Sequence, residues 1–306
     1  CKLMIGYDRL GTNGRFGNQL FQYAALRGIA SKHGFDWCIP PDSHDTFANY
    51  GIHHPFELTG LKSKNIGFVN ENISPQSMFS FGALKDTNPN TRNVTEGCYC
   101  FDDLLFNSME DNTNLDGYLQ TEKYFKHIED EIRADFAFKP EILEPCNDFI
   151  SNFENINFLH VRRGDNVGRE DYYRMMTFDY YTRALELFPE DSHVLVCSDD
   201  PQWCSEQEFF DDERFLINTD VPEYDHMCLE GDGGRRRSKV PYTDLCLMSL
   251  CNGAILSSSS LGWWGAWLQK GRTNPVVAPE HWYGPVLEAV NDCKDLYPDE
   301  WTVIPN

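Results

Sequence analysis

What this chain lacks narrows it first. No stretch approaches the roughly 20 consecutive apolar residues of a membrane helix, and no hydrophobic leader opens it. Basic residues are scarce, 26 Lys and Arg against 48 Asp and Glu, for a formal net charge of -22. Phosphate backbones want a basic face, so this balance argues against a nucleic-acid partner. The same field repels small anions at long range, and a phosphate site here has to be a local cluster of donors that overrides it. The eleven cysteines include no C-x-x-C pair, only the C-x-C of Cys98 and Cys100, so zinc-finger spacing is absent. "GRFGNQ", 14–19, is not the G-x-G-x-x-G dinucleotide fingerprint. No Asp-x-Asp follows an apolar strand to hold a divalent cation against a diphosphate.

What is present is an α/β chain. With 306 residues and 41% hydrophobic content, two domains or one large one are expected. "KLMIGY" reads as a strand, and Leu20, Phe21, Ala24, Ala25 and Ile29 recur at helical spacing, with Gly34 after Lys32 and His33 as a C-cap. From about 36 to 116 the pattern is irregular, and helical spacing returns in "TEKYFKHIEDEIRADF", 121–136. Beyond 154 strands and helices alternate. "INFLHV", "SHVLVCS", "RFLIN", "AILSSS" and "PVVAP" are strands, and "FDYYTRALELF", "PQWCSEQEFF", "TDLCLMSLCNG" and "WWGAWLQKG" are helices. Such alternation predicts a doubly wound parallel sheet with ligands beyond the carboxyl ends of its strands. "GDGGRRRSK", 231–239, is a polar loop. Cys197, Cys246 and Cys251 lie in apolar runs as core residues, so the thiols read as mostly reduced, which favours a cytoplasmic setting. The chain starts at Cys1, so a removed N-terminal anchor, and with it a Golgi-lumen setting, stays open.

Five junctions carry the chemistry. His160, Arg162 and Arg163 of "FLHVRRGD" end a predicted strand, where adjacent side chains point to opposite faces. One arginine can then face an anion, with two parallel hydrogen bonds to a phosphate, while the other braces the site. The alternative is a surface ion pair with Asp165. In "LSSSSLGWWGAWL" hydroxyls and free N–H groups at a helix start suit an anion, although Ser259 or Ser260 also fits a plain N-cap and the tryptophans read as core. Asp244 opens a helix, either as a helix-start acid or as a carboxylate that takes two N–H donors from a guanine edge. Asp200 precedes Pro201 in the N-cap arrangement, leaving Asp199 the freer of the pair and the candidate ligand contact. The glycines of "GRFGNQ" allow a tight turn that presents Arg15 and Asn18.

"GRFGNQLFQYAAL", "GYLQTEKYF", "HVRRGD" and "SSLGWWGAWL" occur in this order from 14 to 268, and together they resemble the signature segments of the alpha-1,2-fucosyltransferases, glycosyltransferase family eleven. The resemblance implies a GT-B type α/β fold, two Rossmann-like doubly wound domains facing a cleft. Residues 1–150 would form the acceptor-side domain and 151–306 the GDP-sugar-binding domain. It implies an inverting enzyme that takes L-fucose from GDP-fucose, without metal or other cofactor, to a glycan acceptor, most readily the 2-hydroxyl of a terminal galactose. By position, Arg163 resembles the arginine on the beta-phosphate with Arg162 beside it. His160 and Asp244 resemble guanine contacts, Ser260 with Ser259 the phosphate-binding serines, and Arg15 and Asn18 residues near the donor. Two departures stand out. Ser258-Ser259-Ser260-Leu261-Gly262 replaces the usual Asn-Ser-Ser-Phe-Ser, and "NVGRED" follows "HVRRGD" in place of the usual tyrosine. The second is closer to the alpha-1,6 enzymes, where a glutamate at the position of Glu170 is the suspected base, with Asp171 and Asp165 the other candidates. A different linkage, or a non-catalytic GDP-sugar or glycan-binding protein of the same fold, is the alternative.

Overall fold

Two parallel sheets organise the chain in the computed structural model, which describes residues 3–44, 50–70, 91–220 and 241–306. The polar loop at 231–239 lies outside the described residues. The chain clusters into two units, residues 1–137 with 292–298, and 138–291 with 299–306.

In the first unit β1 (Met4–Gly6), β2 (Asp36–Cys38), β3 (Arg92–Thr95) and β4 (Thr113–Asp116) pair in the order β2-β1-β4-β3, all parallel. Helix α1 (Phe16–His33) connects β1 to β2 and is buried nearly all round, not on one stripe. It stops where expected: Gly34 adopts φ 68, and the next amide, Phe35 N, returns to Ala30 O at 2.9 Å. Gly28 lets α1 lie directly on the segment after β4, since an added Cβ would sit 1.9 Å from the Tyr124 carbonyl oxygen. That contact also explains one departure from the sequence pattern. Residues 121–136 form not one helix but two 3₁₀ turns, Glu122–Tyr124 and Lys126–Ile128, before α3 (Glu129–Asp135). Tyr124 and Phe125 are both fully buried, and their backbone lies directly against Gly28 of α1, where an added Cβ would also come 2.8 Å from Phe125 Cα. The irregular region contributes β2, β3 and the short α2 (Asp103–Asn107). Cys98 and Cys100 are joined, while six of the seven free cysteines among the described residues are buried.

In the second unit six parallel strands line up as β10-β9-β8-β5-β6-β7. They are β5 (Ile156–Val161), β6 (His193–Ser198), β7 (Phe215–Ile217), β8 (Ala254–Ile255), β9 (Val276–Pro279) and β10 (Thr302–Ile304). Counted from β5, this is the 3-2-1-4-5-6 order of a dinucleotide-binding sheet, whose crevice opens between the first and fourth strands. Here those are β5 and β8, paired at Phe158 with Ala254 and at Leu159 with Ile255. All six residues of β5 are buried, as a central parallel strand requires. The helices are α4 (Pro140–Ile150), α5 (Phe178–Leu185), α6 (Pro201–Ser205), α7 (Pro241–Leu250), α8 (Ser260–Trp267) and α9 (Pro285–Glu288). Two elements are shorter than the pattern predicts. The strand "AILSSS" pairs only through Ile255, because the serines turn away toward α8, and the helix from 201 ends at Ser205 before a 3₁₀ turn at Glu208–Phe210. The tail after 280, in which no element was predicted, adds α9 and β10.

Candidate functional site

The carboxyl ends of β5 and β8 lead into the two segments that the sequence marks, "HVRRGD" and "SSSSLGWW". His160 lies near the end of β5, 5% exposed, and its Nδ1 is 2.7 Å from the Ser257 Oγ at the end of β8. The imidazole also lies close over α8: a Cβ at Gly262 would be 3.1 Å from the ring. Gly262, a departure from the family pattern, is thus where helix and histidine meet. Burial, reinforced by the charge of Arg162, pushes the His160 ring down to about 3, so it is neutral at physiological pH.

That shift has a sign that can be tested. An unfolded histidine takes up a proton below about 6.5, whereas folded His160 does not until about 3. Its contribution to stability is therefore complete above pH 6.5 and declines as pH falls toward 3. Between pH 7 and pH 5 the loss is about 2 kcal/mol. Unfolding free energies in urea at the two pH values should differ by about 2 kcal/mol less in His160→Asn than in the parent chain. An identical pH dependence in the two proteins would refute the assignment.

The two arginines divide their tasks. Arg162 donates from its two Nη atoms to Asp199 and to Asp165. Arg163 donates its backbone N–H to Asp199 Oδ1 at 2.9 Å and its Nε to Asp200 Oδ2 at 3.1 Å. Its guanidinium carbon stacks 3.8 Å from the Trp203 ring centroid. No described residue accepts from its two Nη groups. Glycine is required at Gly164, directly after the two arginines and at φ 35, because an added Cβ would come 2.3 Å from Asp199 Oδ2. Asp199 therefore ties the loop down from both arginines. Asp165 is exposed and engaged with Arg162.

Glu170 is exposed on the turn that follows. Its Oε1 accepts the Gly168 N–H at 3.0 Å, and that bond, aided by the charge of Arg163, holds its carboxyl below the usual range. The turn is pinned from beneath: Gly284 N donates to Tyr172 O at 2.8 Å, and a Cβ at Gly284 would meet Glu170 O at 2.4 Å.

On the β8 side, Ser259 is the N-cap residue of α8, yet its side chain makes no capping bond, so the N-cap alternative for its hydroxyl is not realised. Ser259 and Ser260 are half-buried, and the buried Ser258 Oγ finds no partner among the described residues. An uncapped helix start of this kind presents free N–H groups and the positive end of the helix dipole. Behind it α8 is anchored by Trp263 and Trp264, both 0% exposed. Asp244, in the first turn of α7, is buried, and its two oxygens accept Asn218 Nδ2 at 3.1 and 3.3 Å.

Arg15 and Asn18 belong to the first unit. Arg15 is the exposed N-cap residue of α1, and Asn18 Oδ1 accepts from Gln120 Nε2 at 2.8 Å. Gln120 lies in the "GYLQ" segment that follows β4, so two of the marked segments meet between β1 and β4, where the order of that sheet reverses. Gly14, at φ 91, is needed there because an added Cβ would fall 2.1 Å from Asn18 Nδ2. Sequence reasoning missed Gln120, and it read Asp200 as a helix cap alone. Asp200 does cap α6, with Oδ1 3.3 Å from Trp203 N, while its second oxygen holds Arg163. The Asp-Pro-x-Trp spacing, which sets an aromatic ring one turn above a strand-end acid, was the available signal.

A six-strand sheet of this order, with an arginine and an uncapped helix start on either side of its crevice, is a nucleotide-binding arrangement, and the solved neighbours give its class, an α/β fold of GT-B architecture. Solved structures share the fold. The NodZ alpha-1,6-fucosyltransferase soaked with GDP-fucose is 15% identical at a TM-score of 0.51, over 88% of this chain and 93% of that one. Arabidopsis thaliana FUT1 in complex with GDP is 10% identical at 0.52, over 99% of this chain and 76% of that one. The chain belongs to glycosyl transferase family 11, whose family model matches residues 6–305. Among its relatives are the Escherichia coli O-antigen biosynthesis glycosyltransferase WbnK, 26% identical over 94% of this chain and 97% of that protein. The Escherichia coli alpha-1,2-colitosyltransferase is 26% identical over 95% of this chain and 96% of its own length. The human galactoside alpha-(1,2)-fucosyltransferase 1 is 24% identical over 85% of this chain and 65% of its own length.

Proposed function

We propose that the chain transfers L-fucose from GDP-fucose to the 2-hydroxyl of a terminal galactose on a glycan, with inversion at the anomeric carbon. The observation that carries this reading is the Arg163 guanidinium, fixed through Nε and its ring-stacked face, with both Nη groups left to donate. Two parallel N–H bonds of this kind match a phosphate, and the uncapped start of α8 across the crevice adds further donors. As the bond from fucose C1 to the phosphate oxygen breaks, charge grows on the diphosphate, and these groups are in place to receive it. The acceptor oxygen forms the new bond to C1. Its proton passes to a carboxylate, which we assign to Glu170, since Asp165 is committed to Arg162. A carboxyl held below the usual range is ionised and ready, though a weak base, which suits an oxocarbenium-like centre.

His160 and Asp244 are read as guanine contacts. In this role the nucleobase edge takes the place of Asn218 on the two oxygens of Asp244. Arg15 and Asn18 are read as donor contacts, supported by the family segments in which they lie. The reaction is read as metal-independent because Arg163 and the start of α8 supply the positive charge that a divalent cation would otherwise bring to the diphosphate. No helix among the described residues is long and apolar enough to cross a membrane.

The test is release of GDP from GDP-fucose with and without lactose, in the presence and absence of EDTA, with the product linkage read by NMR. Lactose-dependent release, a 2-O-fucosylated galactose and indifference to the chelator are the expected results. Tight GDP binding without turnover would replace the enzyme by a binding protein. A 6-linked product would keep the donor and overturn the linkage.

A further inference from the structure

Arg163 is held by more than its neighbours in sequence. The Trp203 ring under its guanidinium lies nearly parallel to the Phe178 ring, 5.8 Å away at 4°, and Phe178 stacks on Phe209 at 4.7 Å and 21°. Phe209, Phe178 and Trp203 pack against the apolar core under β6 and α5, so the column is rooted in the body of the second unit and capped by the guanidinium. Asp200 braces it from the side. One of its oxygens fixes Trp203 through the backbone N–H and the other fixes Arg163 through Nε, so ring and guanidinium are set by one carboxylate. Asp200 is itself fixed, its N–H donating to Ser198 Oγ at 2.9 Å. The carboxylates bonded to Arg163 are Asp199 on its backbone and Asp200 on Nε, and the charge of Glu170 also lies within its field. Neither reaches the Nη groups.

We propose that Trp203 and Asp200 are positioning residues for the transfer: the ring and the carboxylate hold the Arg163 guanidinium in one orientation, with its Nη edge presented to the diphosphate. This rests on the reading that Arg163 binds the diphosphate. A free arginine side chain samples many rotamers and would be ordered only when ligand arrives, which lowers affinity. The stack and the Nε bond order it beforehand. The ring face also attracts the cation electrostatically without occupying a single N–H donor. A carboxylate in the place of the ring would compete with the phosphate for the Nη groups, whereas an indole does not.

The test is a set of variants measured for GDP affinity by calorimetry and for kcat and KM with GDP-fucose, with thermal melts for fold. Trp203→Leu should lower GDP affinity and kcat/KM about tenfold to thirtyfold. Trp203→Phe, which keeps a ring, should recover affinity to within about threefold of the parent. Asp200→Asn keeps an oxygen for the cap but loses the acceptor charge at Nε, and should weaken GDP binding about tenfold with little change in the melt. In an Arg163→Ala background, Trp203→Leu should change GDP affinity no further. Equal losses from Trp203→Leu with and without Arg163, or a phenylalanine no better than leucine, would overturn the proposal and leave the ring a packing residue. Should the leucine variant fail to fold, the phenylalanine and asparagine variants decide by the same criteria. If Arg163→Ala itself binds GDP and turns over as the parent does, the underlying assignment of Arg163 fails, a result distinct from the failure of its positioning.

Discussion

Arg163→Ala is expected to reduce fucosyl transfer by at least about 10²–10³-fold while the protein stays folded. The guanidinium makes few bonds that the fold needs. Its Nε bond joins a half-exposed carboxylate, and the backbone N–H that anchors the loop to Asp199 survives the substitution. What is lost is a cation fixed beside the leaving group, in a chain whose net charge of -22 otherwise opposes a diphosphate. The loss should fall on kcat as well as on GDP affinity, because the charge on the phosphate is greater in the transition state than in the ground state. Arg163→Lys should restore little, since an ammonium neither stacks flat on Trp203 nor forks toward two oxygens. A variant with unchanged turnover and GDP affinity would remove Arg163 from the mechanism.

Trp263→Ala is expected to cost about 3–5 kcal/mol of stability and to abolish donor binding in whatever fraction remains folded. Trp263 is 0% exposed and packs edge-on against Trp264, parallel to Trp267 at 12°, and against Trp301 at 5.2 Å. Removing the indole opens a cavity too large for the rings around it to close, because Gly265 already brings α8 against Met248, where a Cβ would lie 2.7 Å from the methionine Cβ. No side chain caps the start of α8, so its placement leans on this packing and on the contact of Gly262 with His160. Loosened tryptophans therefore mean misplaced Ser259 and Ser260. Urea unfolding followed by tryptophan fluorescence, with GDP titration of the folded protein, checks both effects. A loss below about 1 kcal/mol would show that α8 is held by something other than its rings.

The second unit was largely legible because a parallel sheet buried on both faces writes itself as short apolar runs, and "INFLHV", "SHVLVCS" and "PVVAP" are such runs. The strand ends were equally plain, and the arginine pair and the serines fell on them. The first unit was harder to read. Its strands are three or four residues long and most fall in the irregular region from 36 to 116, whereas α1 was legible from its apolar spacing and its Gly34 cap. Residues 121–136 misled: their apolar spacing suits a helix, but Tyr124 and Phe125 both turn inward at the crossing with Gly28. Within the site, the sequence placed the charges but not their pairing. Which arginine braces and which is left to donate depends on Asp199, Asp165, Asp200 and Trp203, whose approach is set by the fold and not by spacing.

The partition of the chain carries a practical consequence. Residues 292–298 return to the first unit before 299–306 rejoin the second, so no single cleavage separates the two. A fragment ending at 137 loses Asp295, whose carboxylate receives the Phe101 amide and the Lys123 ammonium. A fragment of 138–291 loses β10 and leaves β9 as a bare apolar edge, open to pairing with other copies. Nicking at the crossing points should therefore leave the pieces associated, and separately expressed halves should aggregate.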